Sequence, residues 1–386
     1  MPSRFLSIFL CASALFATYT LLRDDGAGLE KIKQFYSNEP ALRNMSVAEL
    51  QQKASSDYDA ALELSYRYED GNGVEQSPEQ AFAWAEKAAL SGDADTQSRV
   101  AYLYDLGIGV EADPFQAAMW YKKAAKQDYA YAKNGYGLLL IEGRGVQRDE
   151  AEGCKLIKEA ADTGLREAEH NVGLYNKQDG ICSSNVPLAI DYYQRAANKG
   201  DASSMLALSY IHLKALGTPL NEAEGLKWLN QAASASHPKA LGYLGWVYLF
   251  GKYGVAVDTS KAQSLLKQAA SDQQGLRQDS YAMVSLAYMH EKGIGVAQSL
   301  ELARQYYQTA AVSGNEDAQY RLGRSLLNPA NSPSEQDMID GLTWLKIAAS
   351  QQDRDAIELL QNYSPPTPHD IIATQRANQW RAGRNL

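Results

Sequence analysis

The sequence predicts an all-α solenoid, a stack of helical hairpins. Three observations carry that prediction. Paired alanines recur at 88–89, 124–125, 160–161, 196–197, 232–233, 269–270, 310–311 and 348–349. A Gly-x-Gly-Val turn recurs at 71–74, 107–110, 143–146 and 293–296. Between turn and alanine pair, apolar residues keep helical spacing. A fixed period of about 36 residues marks a stacked-repeat architecture, in which each unit buries its apolar face only against its neighbours. This is how 386 residues fold without one oversized core.

The first element is a leader. Arg4 precedes an apolar run, Phe5 to Leu22, closed by Arg23-Asp24-Asp25. Residues 1–22 read either as a cleaved secretory signal or as an inner-membrane anchor through Phe5–Leu22. Either way the repeats belong in the periplasm, soluble or anchored, or in a secretory-pathway lumen. Residues 23–56 read as a linker with a short helix near Leu29–Tyr36, then a lead-in helix opened by the capping-box pattern Ser46-Val47-Ala48-Glu49.

The solenoid proper spans residues 57–356, with about eight repeats. In the first helix of each, small or apolar residues stand four apart: Ala60, Leu64, Tyr68; Thr96, Val100, Tyr104; Ala132, Tyr136, Leu140; Ala240, Leu244, Tyr248; Ala282, Leu286, His290. That spacing puts them on one buried face. The glycine at 71, 107, 143, 251 and 293 supplies the left-handed residue that ends a helix. Pro78 and Pro114 start second helices, where a missing amide costs little. Each second helix carries a large residue four before its alanine pair, including Trp84, Trp120, Tyr192, Trp228, Tyr306 and Trp344. Residues 357–386 read as a capping segment, with a first helix over Asp355–Tyr363 and a terminal helix over Ile371–Arg381.

Two repeats depart from the pattern. The fourth has Asn176 to Ser184 in place of the glycine turn, and the fifth has Ala215-Leu216-Gly217-Thr218-Pro219. The stretch from Ser271 to Asp279 is longer than its counterparts. These irregular loops are candidate contact features. Cys11 lies in the apolar leader. Cys154 and Cys182 are too few for a disulfide framework. One bridge is open to them in an oxidising compartment, but the favoured reading is two unlinked, partly buried thiols.

Net charge is −9 with a sequence pI near 5.2, which argues against nucleic acid as a partner. No catalytic set, cofactor motif or metal-ligand spacing appears around His170, His212, His237, His290 and His369. His212 and His290 take the Tyr68 position and are expected to be packed and hydrogen-bonded. The candidate site is a row six residues after the Ala60 position: Tyr66, Tyr102, Leu138, Leu174, Tyr210, Trp246, Tyr288 and Arg324. Tyrosine, tryptophan and arginine are the residues of protein-binding hot spots. Tyr66, Tyr102, Tyr210, Trp246, Tyr288 and Arg324 therefore line a partner groove if the first helices face a concave side; otherwise the row fills core between repeats.

The pattern resembles the Sel1-like repeat family. The second repeat carries it most fully, at Tyr104, Gly107, Gly109, Val110, Ala117, Trp120, Tyr121, Lys123, Ala124 and Ala125. The resemblance implies a right-handed α/α superhelix related to tetratricopeptide repeats, acting as a scaffold that binds a protein partner. It implies no enzyme and no cofactor. Exported bacterial members include proteins that give immunity to secreted lipase toxins, and with the leader, the acidic charge and no visible catalytic set, immunity against a phospholipase-type toxin is the role expected first. A scaffold for an envelope or secretory-pathway complex is the alternative. A β-lactamase-like hydrolase is more remote, since that branch carries a regular cysteine pair in each repeat and this chain does not.

Overall fold

The structure, a computed structural model, describes residues 40–177, 179–271 and 279–381. The leader and the helix expected near Leu29–Tyr36 lie outside the described residues, as do 272–278 of the long stretch before Asp279. Among the described residues no helix is long and apolar enough to cross a membrane. The chain forms two compact bodies, one ending at Pro219 and one beginning at Leu220. Each is a stack of helix pairs, as the repeat spacing requires.

The N-terminal body opens with α1 (Pro40–Arg43) and α2 (Val47–Lys53). Four helix pairs follow: α3 (Tyr58–Asp70) with α4 (Pro78–Ala88), α5 (Ala94–Leu106) with α6 (Pro114–Ala125), α7 (Ala130–Glu142) with α8 (Glu150–Asp162), and α9 (Arg166–Asn176) with α10 (Val186–Asn198). It ends in α11 (Ala202–Lys214). The C-terminal body begins with α12 (Glu222–Ser234). Its pairs are α13 (Pro238–Phe250) with α14 (Thr259–Ala270), α15 (Ser280–Lys292) with α16 (Leu300–Val312), and α17 (Glu316–Leu326) with α18 (Glu335–Ser350). Helices α19 (Arg354–Asn362) and α20 (Thr367–Arg381) close it.

The expected core positions are buried. Ala60, Leu64, Val100, Ala132 and Ala240 are fully inaccessible, as are Ala88, Ala124, Ala160 and Ala196 of the alanine pairs. The small residues allow close helix approach, and the large residue four positions earlier fills the space beside it. Trp228 and Trp344 are buried; Trp84 and Trp120 are half-buried, with Lys87 and Lys123 lying 5.0 and 4.1 Å from their ring centroids. The repeat lysine thus covers the open side of its own tryptophan.

The capping box at Ser46 forms: its backbone N–H donates to Glu49 at 2.7 Å and its hydroxyl accepts from the Glu49 N–H at 3.3 Å. Second helices are capped by a side chain the turn pattern did not flag. Asp113, Asp149, Asp258 and Ser299 each accept from a first-turn N–H, satisfying a donor with no partner inside the helix. The terminal helix begins at Thr367 rather than Ile371, because Pro368 in the first turn lacks only an amide the helix would not use.

In the second, third and seventh repeats the second glycine of the turn is a contact with the preceding repeat. A Cβ added at Gly109 would stand 1.9 Å from the Pro78 carbonyl oxygen, and one at Gly145 would stand 2.2 Å from that of Pro114. The turn therefore rests on the first residue of the preceding repeat's second helix, and only glycine leaves room.

The fourth repeat keeps the architecture by other means. Cys154 and Cys182 are joined by a disulfide, with their Cα atoms 5.6 Å apart, which corrects the expectation of two unlinked thiols. Chain separation hid the contact: the irregular loop folds back over α8. The backbone bond that closes the three preceding pairs survives there. The Asn185 N–H donates to the Asn176 carbonyl at 2.9 Å, as Asp113 donates to Tyr104 at 3.0 Å. In the fifth repeat Ala215 holds the left-handed position, φ 52°, that glycine holds elsewhere.

Candidate partner-binding surface

The row six residues after the Ala60 position differs in character between the two bodies. In the N-terminal body Tyr66 is 8% exposed and Leu138 6%, whereas Tyr102, Leu174 and Tyr210 are half-buried. In the C-terminal body Trp246 is 4% exposed, Tyr288 is half-buried and the Arg324 side chain is 46% exposed. Tyr66 and Trp246 are thus mainly packing residues, while Tyr102, Tyr210, Tyr288 and Arg324 present surface.

Around Tyr66 and Tyr102 the N-terminal body builds a polar lattice. The Arg99 guanidinium, buried, donates to Glu69 at 2.5 Å and to the Ser65 hydroxyl at 3.2 Å. It also lies 4.4 Å from the Tyr66 ring centroid and 5.7 Å from that of Tyr102. Burial disfavours its charge, but the Glu69 carboxylate outweighs that and raises its pKa. One turn on, Arg144 bridges Asp105 and Glu142, each at 2.6 Å. Burial pushes the Asp105 carboxyl up despite that partner. Asn171 donates to Asn134 at 3.0 Å, and Lys199 to Glu169 at 2.7 Å. These pairs cross between successive first helices or join a first helix to the following turn, so they fix the register of the stack.

His170 sits in the same lattice, with Asp201 and Ser204. It is no catalytic triad. Asp201 (3.0 Å) and Ser204 (2.8 Å) both meet the Nδ1 atom, while Nε2 has no hydrogen-bond partner. A relay needs nucleophile and carboxylate on opposite ring nitrogens. Burial opposes the Asp201 charge, but the His170 and Ser204 hydrogen bonds prevail and hold its carboxyl well below the usual range. His212 and His290 are packed as expected but not bonded as expected. Neither His212 nitrogen finds a partner, and the His290 Nδ1 has none while its ring stacks on Tyr306 at 5.9 Å. Among the described residues no three His, Cys, Asp or Glu side chains are grouped to hold a metal ion.

The C-terminal body replaces the lattice with rings. Tyr243, Trp246, Phe250 and Tyr288 form a chain with successive centroids 5.8, 5.7 and 5.8 Å apart, running from α13 to α15. The Arg321 guanidinium of α17 lies 6.0 Å from the Tyr288 ring. The extra residue in the turn of the sixth repeat places Tyr253 at φ 55°, a strained value for a bulky side chain. Its hydroxyl meets that of Tyr243 at 2.7 Å, and Lys252 lies 5.9 Å from the Trp246 ring. Phe250, Lys252 and Tyr253 escaped sequence reasoning. Their signal was the single insertion that breaks the Gly-x-Gly-Val turn.

This helical architecture matches a known family repeat by repeat. The model of the Sel1 repeat matches eight successive segments: 59–93, 94–129, 130–165, 166–201, 202–237, 238–273, 280–315 and 316–353. The chain belongs to the Sel1 repeat family. Sel1 repeat proteins are in general non-catalytic scaffolds for protein–protein interaction, and this chain is a protein-binding scaffold of that family. Among solved structures, c5321, a protective antigen present in uropathogenic Escherichia coli strains, shares 28% identity, with 86% of this chain and 79% of that one covered and a TM-score of 0.58. A Sel1 repeat protein from Oxalobacter formigenes shares 29% identity, over 56% of this chain and 89% of that one, with a TM-score of 0.52. Chitin synthase regulatory factor 4 of Schizosaccharomyces pombe is 32% identical over 165 residues, which are 42% of this chain and 24% of that protein. The chain spans about a tenth to a third of the length of the curated relatives it matches.

Proposed function

We propose that this Sel1 repeat protein works outside the reducing cytosol, in the periplasm or anchored to the inner membrane, and holds a protein partner on its first-helix rows. The specific task proposed is neutralising a secreted antibacterial toxin of phospholipase type. The observation that carries the compartment is the Cys154–Cys182 disulfide, since structural disulfides persist in oxidising compartments. The apolar run Phe5–Leu22 behind Arg4 agrees with it. The observations that support binding are, in one body, the half-buried Tyr102 of α5 and Tyr210 of α11 and, in the other, the half-buried Tyr288 of α15 and the exposed Arg324 of α17.

Co-expression with the products of neighbouring genes tests the task. A one-to-one complex with one of them, and sensitivity of a deletion strain to its kin, is expected. If no neighbouring product binds and the deletion strain stays resistant, toxin immunity is wrong. A scaffold for a multi-protein envelope complex is the second reading, favoured by similarity to a protein named as a regulatory factor of another enzyme. Recovery of several envelope proteins and no toxin would select it.

A further inference from the structure

Resting on the protein-binding reading above, we infer that the partner docks on the ring-and-cation face of the C-terminal body, made by α13, α15 and α17, and does so through an extended acidic segment with apolar anchors. Phe250 and Tyr288 are half-buried, so each offers one side of its ring, and Trp246 backs them from beneath. Cations surround this strip: Lys239 at its start, Lys252 beside Trp246, Lys292 at the end of α15, and Arg321 and Arg324 on α17. Lys239, Lys292 and Arg324 are exposed.

Two of the nearby carboxylates are engaged by these same cations, and a third, Asp279, is buried, with one oxygen lacking a hydrogen bond and the Lys239 charge acting on it. Asp317 accepts from the Arg321 Nε with both oxygens, at 2.8 and 2.9 Å. Glu291 accepts from the Tyr307 hydroxyl at 2.9 Å and pairs with Lys292 at 2.7 Å. Burial opposes the Glu291 charge, but these partners hold its pKa below the usual value. Arg324 also lies 3.8 Å from Glu291; the five cations still outnumber Asp279, Glu291 and Asp317, so the local balance is positive in a chain whose net charge is −9. The contrast within the molecule is confined to the sixth repeat. The register position of Lys239 is held by Asp59, Asp95 and Glu167 in three N-terminal repeats and by Asp317 in the eighth. The strained Tyr253 is a third, separate mark, since such backbone is kept where a site requires it.

The chemistry selects the ligand. Ring edges and faces pack apolar side chains, while lysine and arginine beside them steer and retain carboxylates. An alternating acidic and apolar strand meets both demands.

Two measurements on the full, disulfide-bonded chain test this. The first is fluorescence anisotropy with a labelled twelve-residue peptide alternating Glu with Leu and Phe, against the same peptide with Lys for Glu. The acidic peptide is expected to bind at least tenfold more tightly. Lys239→Glu with Lys252→Glu and Arg324→Glu should abolish that preference, and the milder Gln replacements should weaken it if the triple variant does not fold. Lys155→Glu with Lys158→Glu, on α8, should leave it unchanged. Equal affinity for both peptides, or indifference to the substitutions, overturns the inference.

The second is photo-crosslinking in the native host, with a benzophenone amino acid at position 250 or 102. Capture at 250 of a segment with net negative charge is expected. Capture at 250 of a neutral or basic segment, or of a second copy of this chain, overturns the inference. Capture at 102 alone also overturns it yet leaves the protein-binding function standing. Capture at neither position removes both.

Discussion

The two bodies solve the same packing problem with different chemistry. Up to Pro219 the chain has 22 basic and 30 acidic side chains; from Leu220 it has 15 and 16. In the N-terminal body the space between first helices is crossed by bonded polar groups, Arg99 with Glu69, Arg144 with Asp105, and His170 with Asp201 and Ser204. In the C-terminal body the same space is filled by Tyr243, Trp246, Phe250 and Tyr288. Buried polar pairs are directional and set register, but they contribute little net stability and leave few donors or acceptors for a partner. Rings in contact tolerate many partners and keep binding energy available at their exposed faces. The repeat therefore fixes the scaffold, and the occupants of one row decide which body is mainly structural and which is suited to docking.

That comparison can be broken most severely at its two anchors. Arg99→Ala strands the Glu69 carboxylate and uncovers two rings, so a loss of ~3–5 kcal/mol is expected in urea unfolding. Trp246→Ala should cost a similar ~3–5 kcal/mol through the cavity it leaves. Hydrogen exchange assigns each loss to its own body. If either variant loosens both bodies equally, they are not separate solutions. Replacing Cys154 and Cys182 together by Ser should cost about 3–4 kcal/mol, the loop-closure value for a bridge spanning 28 positions. That loss should be confined to the N-terminal body, with limited proteolysis appearing near the fourth-repeat loop.

The bodies should also respond to pH in opposite directions. Asp279 caps α15, is buried, and has one carboxylate oxygen without a hydrogen bond. Burial pushes its pKa up to about 6, although Lys239 of α13 attracts its charge. A raised folded-state value means that its contribution is full below the unfolded value near 4 and is lost as pH rises through about 6. Asp201 is the reverse. Its folded-state value is depressed, so its contribution is full above about 4 and is lost as pH falls further. Protection of α15 should therefore weaken between pH 4 and 6, while that of α9 and α11 should weaken only below pH 4. Asp279→Asn keeps the cap and removes the charge, so it should stabilise the C-terminal body by ~1–3 kcal/mol at pH 7. Little change should appear at pH 4. The smallest effect is at the fifth repeat, where Ala215→Gly should relieve a left-handed alanine by ~1 kcal/mol, read as a shift in thermal midpoint.

Most of the fold was legible because the repeat writes each local decision eight times. The Ala60 and Leu64 positions, the glycine turns and the Ala88 pair are all set by helical period and close approach, which a sequence displays directly. The Cys154–Cys182 bridge was not legible, because pairing depends on a loop folding back across a neighbouring helix and occurs once. The candidate row was half legible. Its position follows from helical spacing, but whether Tyr66 is packed or Tyr288 presented depends on what lies across the adjacent helix. The strip completed by Phe250 was hidden for the same reason. Its rings come from different repeats, and only the inserted residue at the sixth turn hinted that this repeat was special.

The most direct test of the binding account is hydrogen exchange on the full chain, alone and saturated with the partner recovered by co-purification. The account predicts new protection on first helices, greatest on α13, α15 and α17, with the second helices α14 and α16 unchanged. Protection that falls instead on the second helices would contradict it.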